Sequence, residues 1–133
     1  MTEKILTPAE VSQIPAASLA YLGDAVLEVL VRESLVRRNA KNPSVESLMY
    51  VTAPKQSDAV ERILPHLTEE EDSVFKRGRN CVHSGVPKHA TPAQYRRATG
   101  LETLFAFLHL TGRKQRAEEL FEIGFSGQIT EEI

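Results

Sequence analysis

The sequence predicts an all-α protein on the strength of three observations. Apolar residues recur at helical spacing over long runs, and the alternating apolar and polar runs typical of strands are nearly absent. Three segments match the capping box that opens a helix, beginning at Thr7, Thr68 and Thr91, and the first and third have proline at the next position. We therefore expect about seven helices in a single domain spanning residues 1–133.

Each expected helix has its own justification, in chain order. The box at Thr7 opens a short helix near 8–13, and a broad apolar band predicts a long central helix over 16–38. Prolines at positions 43 and 54 mark breaks before helices near 44–51 and 54–65. The boxes at Thr68 and Thr91 open helices at 69–79 and 92–111, and Gly124 is predicted to close a last helix at 113–123.

Composition excludes several classes of protein. No apolar run approaches the roughly 18 residues that span a bilayer, and the N-terminus lacks the apolar segment of a secretory signal, so we expect a cytoplasmic protein. The single cysteine, Cys81, cannot form an internal disulfide. A Cys81/His83 nucleophile has no diagnostic spacing, and a tolerated thiol explains Cys81 better.

Charge is distributed unevenly along the chain. Residues 73–101 contain six lysines or arginines and no acid, so the rest of the chain carries −8, which is the net −2 minus +6. A basic segment on an acidic body favours an anionic partner bound by one face. The segment includes the irregular stretch 80–90, NCVHSGVPKHA, which is either an exposed linker or part of that binding face.

Two carboxylates lie in apolar helices with no basic residue three or four positions away. Asp24 follows Gly23 in AYLGDAVLE, and Glu102 follows Gly100 in ATGLETLFAFLHL. By contrast, Arg32 lies four residues after Glu28, on the same face of the helix, so an ordinary ion pair explains Glu28. If the two helices pack together, Asp24 and Glu102 meet, and paired carboxylates favour a divalent cation such as Mg²⁺ or Mn²⁺. Gly23 then admits a neighbouring backbone or a ligand.

The same segments resemble the motifs of a known family. LAYLGDAVLEVLV at 19–31 is similar to the ribonuclease III signature LEFLGDAVL, and ATGLETLFAFLHL at 98–110 is similar to its second acidic motif, ADTVEALIGAIYL. The resemblance extends to the short Mini-III branch through FKRGRN, SGVPKHATPAQYRRATGLETL and GFSG, at 75–80, 84–104 and 124–127. It covers most of the chain in order.

The resemblance implies an all-α endonuclease domain that acts as a homodimer on double-stranded RNA, with Mg²⁺ that Mn²⁺ may replace. Asp24 and Glu102 match the acids expected to be catalytic and to hold the metal. Two further acids of the wider family are replaced by Ala20 and Thr99, a departure shared by Mini-III members. The expected substrate is the 23S ribosomal RNA precursor, cut at its paired ends.

No double-stranded-RNA-binding module is recognisable, so RNA binding is assigned to the nuclease domain itself. Our candidates are the basic residues Lys76, Arg77, Arg79, Lys88, Arg96 and Arg97, which would contact phosphates and 2′-hydroxyls. Simple solvation explains any one of them equally well. Two rival interpretations remain at this point: a non-catalytic ribonuclease III-like domain that binds RNA or the ribosome, and a helical interaction module. Retention of Asp24 and Glu102 favours catalysis.

Overall fold

The computed structural model describes residues 4–81 and 89–131, and it describes side chains as far as Phe125. All regular secondary structure within these residues is helical. One turn of 3-10 helix, Leu64–His66, precedes the sixth helix. In chain order the helices are α1 (Pro8–Ser12), α2 (Ala16–Arg37), α3 (Pro43–Glu46), α4 (Leu48–Val51), α5 (Ala53–Ile63), α6 (Glu69–Arg79), α7 (Pro92–Leu110) and α8 (Lys114–Glu131). The all-α prediction is confirmed.

The three predicted capping boxes are present with both of their hydrogen bonds. The Thr7 hydroxyl accepts from the Glu10 amide at 3.1 Å, and the Glu10 carboxylate accepts from the Thr7 amide at 3.0 Å. The boxes that open α6 and α7 have the same arrangement. Three helix starts were therefore readable from local chemistry alone.

Two predicted helices differ substantially from the structure, whereas the ends of the others agree to within two residues. The helix expected at 44–51 is divided into α3 and α4 at Ser47, whose hydroxyl donates to the Ser44 carbonyl at 3.0 Å and competes with regular helical pairing. Gly124 does not end the last helix, because α8 continues through it to Glu131. A Cβ at Gly124 would lie 2.6 Å from Cδ1 of Ile63, so this glycine serves close packing against α5 instead of capping.

Helix α7 forms the centre of the domain. It packs against α2, α5, α6 and α8. Every residue from Ala98 to Leu108 is buried except Glu102, which is half-buried. A helix that is apolar on all sides has to be enclosed by its neighbours, so a carboxylate within it needs a specific partner.

A buried ion pair connects α8 to α6. The Arg116 guanidinium donates to both carboxylate oxygens of Glu71, at 2.8 Å each, and also to the His66 carbonyl at 2.8 Å. The Glu71 side chain is only 4% exposed, and its carboxylate also completes the capping box of α6.

No helix in the described part of the chain is long and apolar enough to cross a membrane.

Candidate active site

The backbones of α2 and α7 come very close together at Gly23. A Cβ at this position would lie 1.6 Å from the Glu102 carbonyl oxygen and 2.9 Å from the Glu102 Cα. No side chain other than hydrogen fits there. Gly23, which we expected from the sequence to admit a neighbouring backbone, thus permits direct contact between the helix that carries Asp24 and the backbone of Glu102.

This contact brings Asp24 and Glu102 together, as predicted. Asp24 is exposed and Glu102 is half-buried beside it. Burial, followed by the negative charge of Asp24 and the contact between the two carboxyl groups, raises the pKa of Glu102 from 4.5 to about 8. Two carboxylates held together in this way bind either a shared proton or a cation.

Gln56 of α5 is a third member of the site, and our sequence reasoning missed it. Its side chain is 2% exposed, and its Nε2 donates to the Val51 carbonyl at 3.0 Å. The amide also lies within hydrogen-bonding reach of the Glu102 carboxyl, where it lowers the pKa of Glu102 against the larger raising effects. A signal was available, because Gln56 shares the spacing of the buried Ala59, Val60 and Ile63 and is therefore a polar residue on an apolar helix face.

The oxygen donors of this site suit Mg²⁺. Mg²⁺ commonly binds through one or two carboxylates and keeps several of its waters. The described residues contain no cluster of three or more His, Cys, Asp or Glu side chains that could enclose a metal. They do provide the Asp24 and Glu102 carboxylates, together with a buried Gln56 Oε1 that has no hydrogen-bond partner in the described structure. The donor set therefore fits a hydrated cation.

The two replaced acid positions contribute no carboxylate. Ala20 is buried and has no polar side-chain atom, and Thr99 is 3% exposed with its hydroxyl donating to the Tyr95 carbonyl at 2.9 Å. Both positions are occupied by residues that pack within the helical core.

Comparison with known proteins assigns the chain to a family. The family model described as Ribonuclease III domain matches residues 17–113. Mini-ribonuclease 3 of Symbiobacterium thermophilum is 40% identical, with 82% of this chain and 86% of that protein covered. Mini-ribonuclease 3 of Enterococcus faecalis is 42% identical over 81% of this chain and 86% of its own. The chain belongs to the ribonuclease III family, in its Mini-ribonuclease 3 branch.

A solved structure agrees with this assignment. The crystal structure of a Fusobacterium nucleatum protein superposes with a TM-score of 0.78 at 25% identity, covering 90% of this chain and 98% of that one. The protein is accordingly an endoribonuclease of a family that acts on double-stranded RNA, with the all-helical ribonuclease III domain fold. The non-catalytic interpretations considered from sequence are set aside.

The basic residues predicted to bind RNA have different environments in this ribonuclease III domain. Arg96 is exposed and makes no hydrogen bond or ion pair with the described residues, whereas Lys88 lies outside them, as do positions 82–87. Three others have exposed or half-exposed partners: Lys76 with Asp72 at 2.8 Å and Arg79 with the Asn80 side chain at 3.2 Å, both nearby in sequence, and Arg97 with Glu61 of α5 at 3.2 Å.

Arg77 differs from the rest of the set, because its guanidinium donates to the backbone carbonyl of Ile14. This bond joins α6 to the connection between α1 and α2. Because Arg77 and Ile14 are 63 residues apart in sequence, no local sequence pattern predicts this hydrogen bond.

Proposed function

We propose that this ribonuclease III family member is a Mg²⁺-dependent enzyme that hydrolyses phosphodiesters of double-stranded RNA at the site formed by Asp24 and Glu102. The observation that carries the proposal is the pairing of these carboxylates where α2 crosses α7. Asp24 and Glu102 would hold the cation, and Mn²⁺ would substitute because it accepts the same oxygen ligands. A bound cation supplies the charge that activates water and stabilises the leaving oxygen.

The chain's own residues prepare the site for that chemistry. The enclosed α7 fixes the position of Glu102, since its neighbours along the helix are buried. Asp24, on the exposed side, is accessible to a phosphate of the RNA backbone. Because the described residues place two carboxylates at the site, most of the shell of a bound Mg²⁺ would be water, a source of the nucleophile.

The decisive experiment compares wild type with Glu102→Gln on a labelled RNA duplex, with and without Mg²⁺. The variant removes charge while preserving side-chain volume, so we expect normal duplex binding and no Mg²⁺-dependent cleavage. Glu28→Gln is the matched control, because Glu28 lies one turn from Asp24 on α2 and pairs with Arg32 at 2.8 Å. Cleavage by Glu102→Gln at the wild-type rate would refute the assignment.

The RNA surface of the proposal centres on Arg96 with Lys76, Arg79, Lys88 and Arg97. Lys76 and Arg97 have side chains that are 53% and 40% exposed. Exposed ion pairs contribute about 0–1 kcal/mol, so these groups can exchange a local acid for a phosphate at small cost. Arg77 is assigned a structural role because its carbonyl partner is part of the fold.

The resemblance to the Mini-III branch extends the proposal to a substrate, the paired ends of the 23S ribosomal RNA precursor in the cytoplasm. Shape reading of A-form RNA gives little sequence selectivity, so a specific substrate has to be defined by its structure and context. Incubation with precursor 23S RNA and with an unrelated duplex of equal length tests this. We expect discrete cleavage near the mature ends of the precursor, whereas equal, scattered cutting of both RNAs would restrict the proposal to general duplex cleavage.

We also propose that the enzyme is a homodimer formed through α2. Tyr21, Ala25 and Val29 recur every four residues along one side of this helix and are exposed, with Tyr21 at 85% and Val29 at 63%. Ala25 and Val29 also line a groove whose apolar lining comes mostly from α2, with Lys114 and Ala117 of α8 on its other side. A contiguous apolar surface of this kind marks an interaction site, and a twofold dimer pairs it with itself.

Sedimentation of Val29→Asp tests the dimer. We expect the variant to sediment as a monomer under conditions in which wild type is dimeric. Leu48→Asp is the control, because Leu48 is similarly exposed, at 59%, but lies on α4 and does not line the groove beside Ala25 and Val29. A dimeric Val29→Asp protein would move the interface to another surface.

A further inference from the structure

Gln56 is a buried polar side chain with one of its two polar atoms satisfied by the backbone. It is 2% exposed, and Nε2 donates to the Val51 carbonyl at 3.0 Å, which fixes the orientation of the amide. Oε1 is equally buried and has no hydrogen-bond partner in the described part of the chain. Buried side-chain oxygens are almost always paired, so an unpaired one indicates a ligand or an ordered water.

The location of Gln56 indicates which ligand this is. The amide lies within hydrogen-bonding reach of the Glu102 carboxyl, so the unpaired oxygen belongs to the same small site as Asp24 and Glu102. Positions 20 and 99 provide no carboxylate there, since alanine has no side-chain oxygen and the Thr99 hydroxyl donates to the Tyr95 carbonyl of its own helix. Gln56 thus places a buried, uncharged oxygen without a hydrogen-bond partner in the described structure beside the acid pair.

We propose that Gln56 is a positioning residue of the metal site: its N–H group orients Glu102, and its Oε1 accepts a hydrogen bond from a water of the bound cation. The proposal rests on the assignment of Asp24 and Glu102 as metal-holding residues. A hydrated Mg²⁺ held by two carboxylates presents water protons to its surroundings, and partners that accept them orient the cation's shell. An uncharged amide fills this role without adding a third negative charge.

Metal binding without RNA provides the test. Titration of Mn²⁺ into the metal-free protein, followed by electron paramagnetic resonance of the free ion, measures affinity independently of cleavage. We expect Gln56→Leu to bind Mn²⁺ roughly 10- to 100-fold more weakly than wild type. Ser57→Ala is the matched control, because Ser57 is the neighbouring buried polar residue of α5, and it should bind like wild type. Wild-type affinity in Gln56→Leu would overturn the proposal.

A second variant keeps the test informative if Gln56→Leu does not fold. Gln56→Glu preserves the size and the oxygen and adds a carboxylate, so we expect tighter Mn²⁺ binding than in wild type. Unchanged or weaker binding by a folded Gln56→Glu protein would contradict a place for Gln56 at the cation.

The outcome also separates this inference from the proposed function. If wild type binds Mn²⁺ and Glu102→Gln does not, the metal site stands and the two Gln56 variants decide the role of Gln56. If Glu102→Gln binds Mn²⁺ as wild type does, the metal site itself is wrong and the inference falls with it.

Discussion

Gly23 packs directly against the backbone of Glu102, and the two are so close that no Cβ fits between them. The distance from a Cβ at position 23 to the Glu102 carbonyl oxygen would be 1.6 Å. Because backbone atoms form this obstacle, side-chain rotation cannot relieve it. The same contact that excludes a side chain at position 23 places Asp24 against Glu102, so packing and site geometry depend on one residue.

Gly23→Ala should therefore destabilise the protein despite the better helix propensity of alanine. We expect a loss of about 3 kcal/mol or more in the free energy of unfolding, at or above the upper end of overpacking effects. Urea denaturation measures it. Gly124→Ala is the control, since its nearest obstacle is the flexible end of Ile63 and its helix gains about 1 kcal/mol from alanine. A Gly23→Ala protein as stable as Gly124→Ala would show that the helices separate easily.

The raised pKa of Glu102 predicts a pH dependence of stability in metal-free protein. Between pH 4.5 and about 8 the folded state retains a proton on Glu102 that the unfolded chain has released. The free energy of unfolding should therefore fall as pH rises through this window, and this contribution should level off above it. Subtracting the profile of Glu102→Gln isolates the effect, since all other groups are shared.

Mg²⁺ provides the complementary measurement at pH 8 to 9. It should restore stability to wild type, because the cation binds the ionised pair in the folded state only. It should leave Glu102→Gln nearly unchanged. A flat difference profile, or equal stabilisation of both proteins by Mg²⁺, would contradict the assigned environment of Glu102.

Substitutions of Arg77 and Arg96 should have different effects, the first on the stability of the fold and the second on RNA binding. Arg77→Gln removes the bond to the Ile14 carbonyl and should cost about 1.5–3 kcal/mol of stability. Arg96→Gln should change stability by less than about 0.5 kcal/mol but weaken duplex binding and reduce its salt slope by about 1. Thermal unfolding and fluorescence anisotropy over a salt series measure the two effects. An unchanged salt slope for Arg96→Gln would place the RNA surface elsewhere.

The pair between Arg116 and Glu71 should be sensitive to loss of one partner. Arg116→Met leaves the nearly inaccessible Glu71 carboxylate without its cation, which costs about 3–5 kcal/mol. Arg32→Met is the control, since its pair with Glu28 is exposed and contributes about 0–1 kcal/mol. Urea denaturation of the two variants should differ accordingly, and similar values would mean that water reaches Glu71.

The sequence determined those features that depend on neighbouring residues. Thr7, Thr68 and Thr91 opened helices as predicted because a capping box is closed by residues three positions apart. Glu28 paired with Arg32 because the two lie one turn apart. Asp24 and Glu102 could be singled out because neither has a basic residue three or four positions away. The resemblance to the ribonuclease III motifs then assigned both acids to one metal site.

The tertiary structure decided what depends on contacts between distant segments. Gly124 resembled a helix stop but packs against Ile63, and Arg77, which the sequence offers as an RNA-binding candidate, also donates to the distant Ile14 carbonyl. Gln56 could be recognised in sequence as a polar residue on the apolar face of α5, but only the packing of α5 places it beside Glu102. The physical reason is common to all three cases. A side chain's role is fixed by which groups desolvate and pair with it, and in these cases those groups belong to helices distant along the chain.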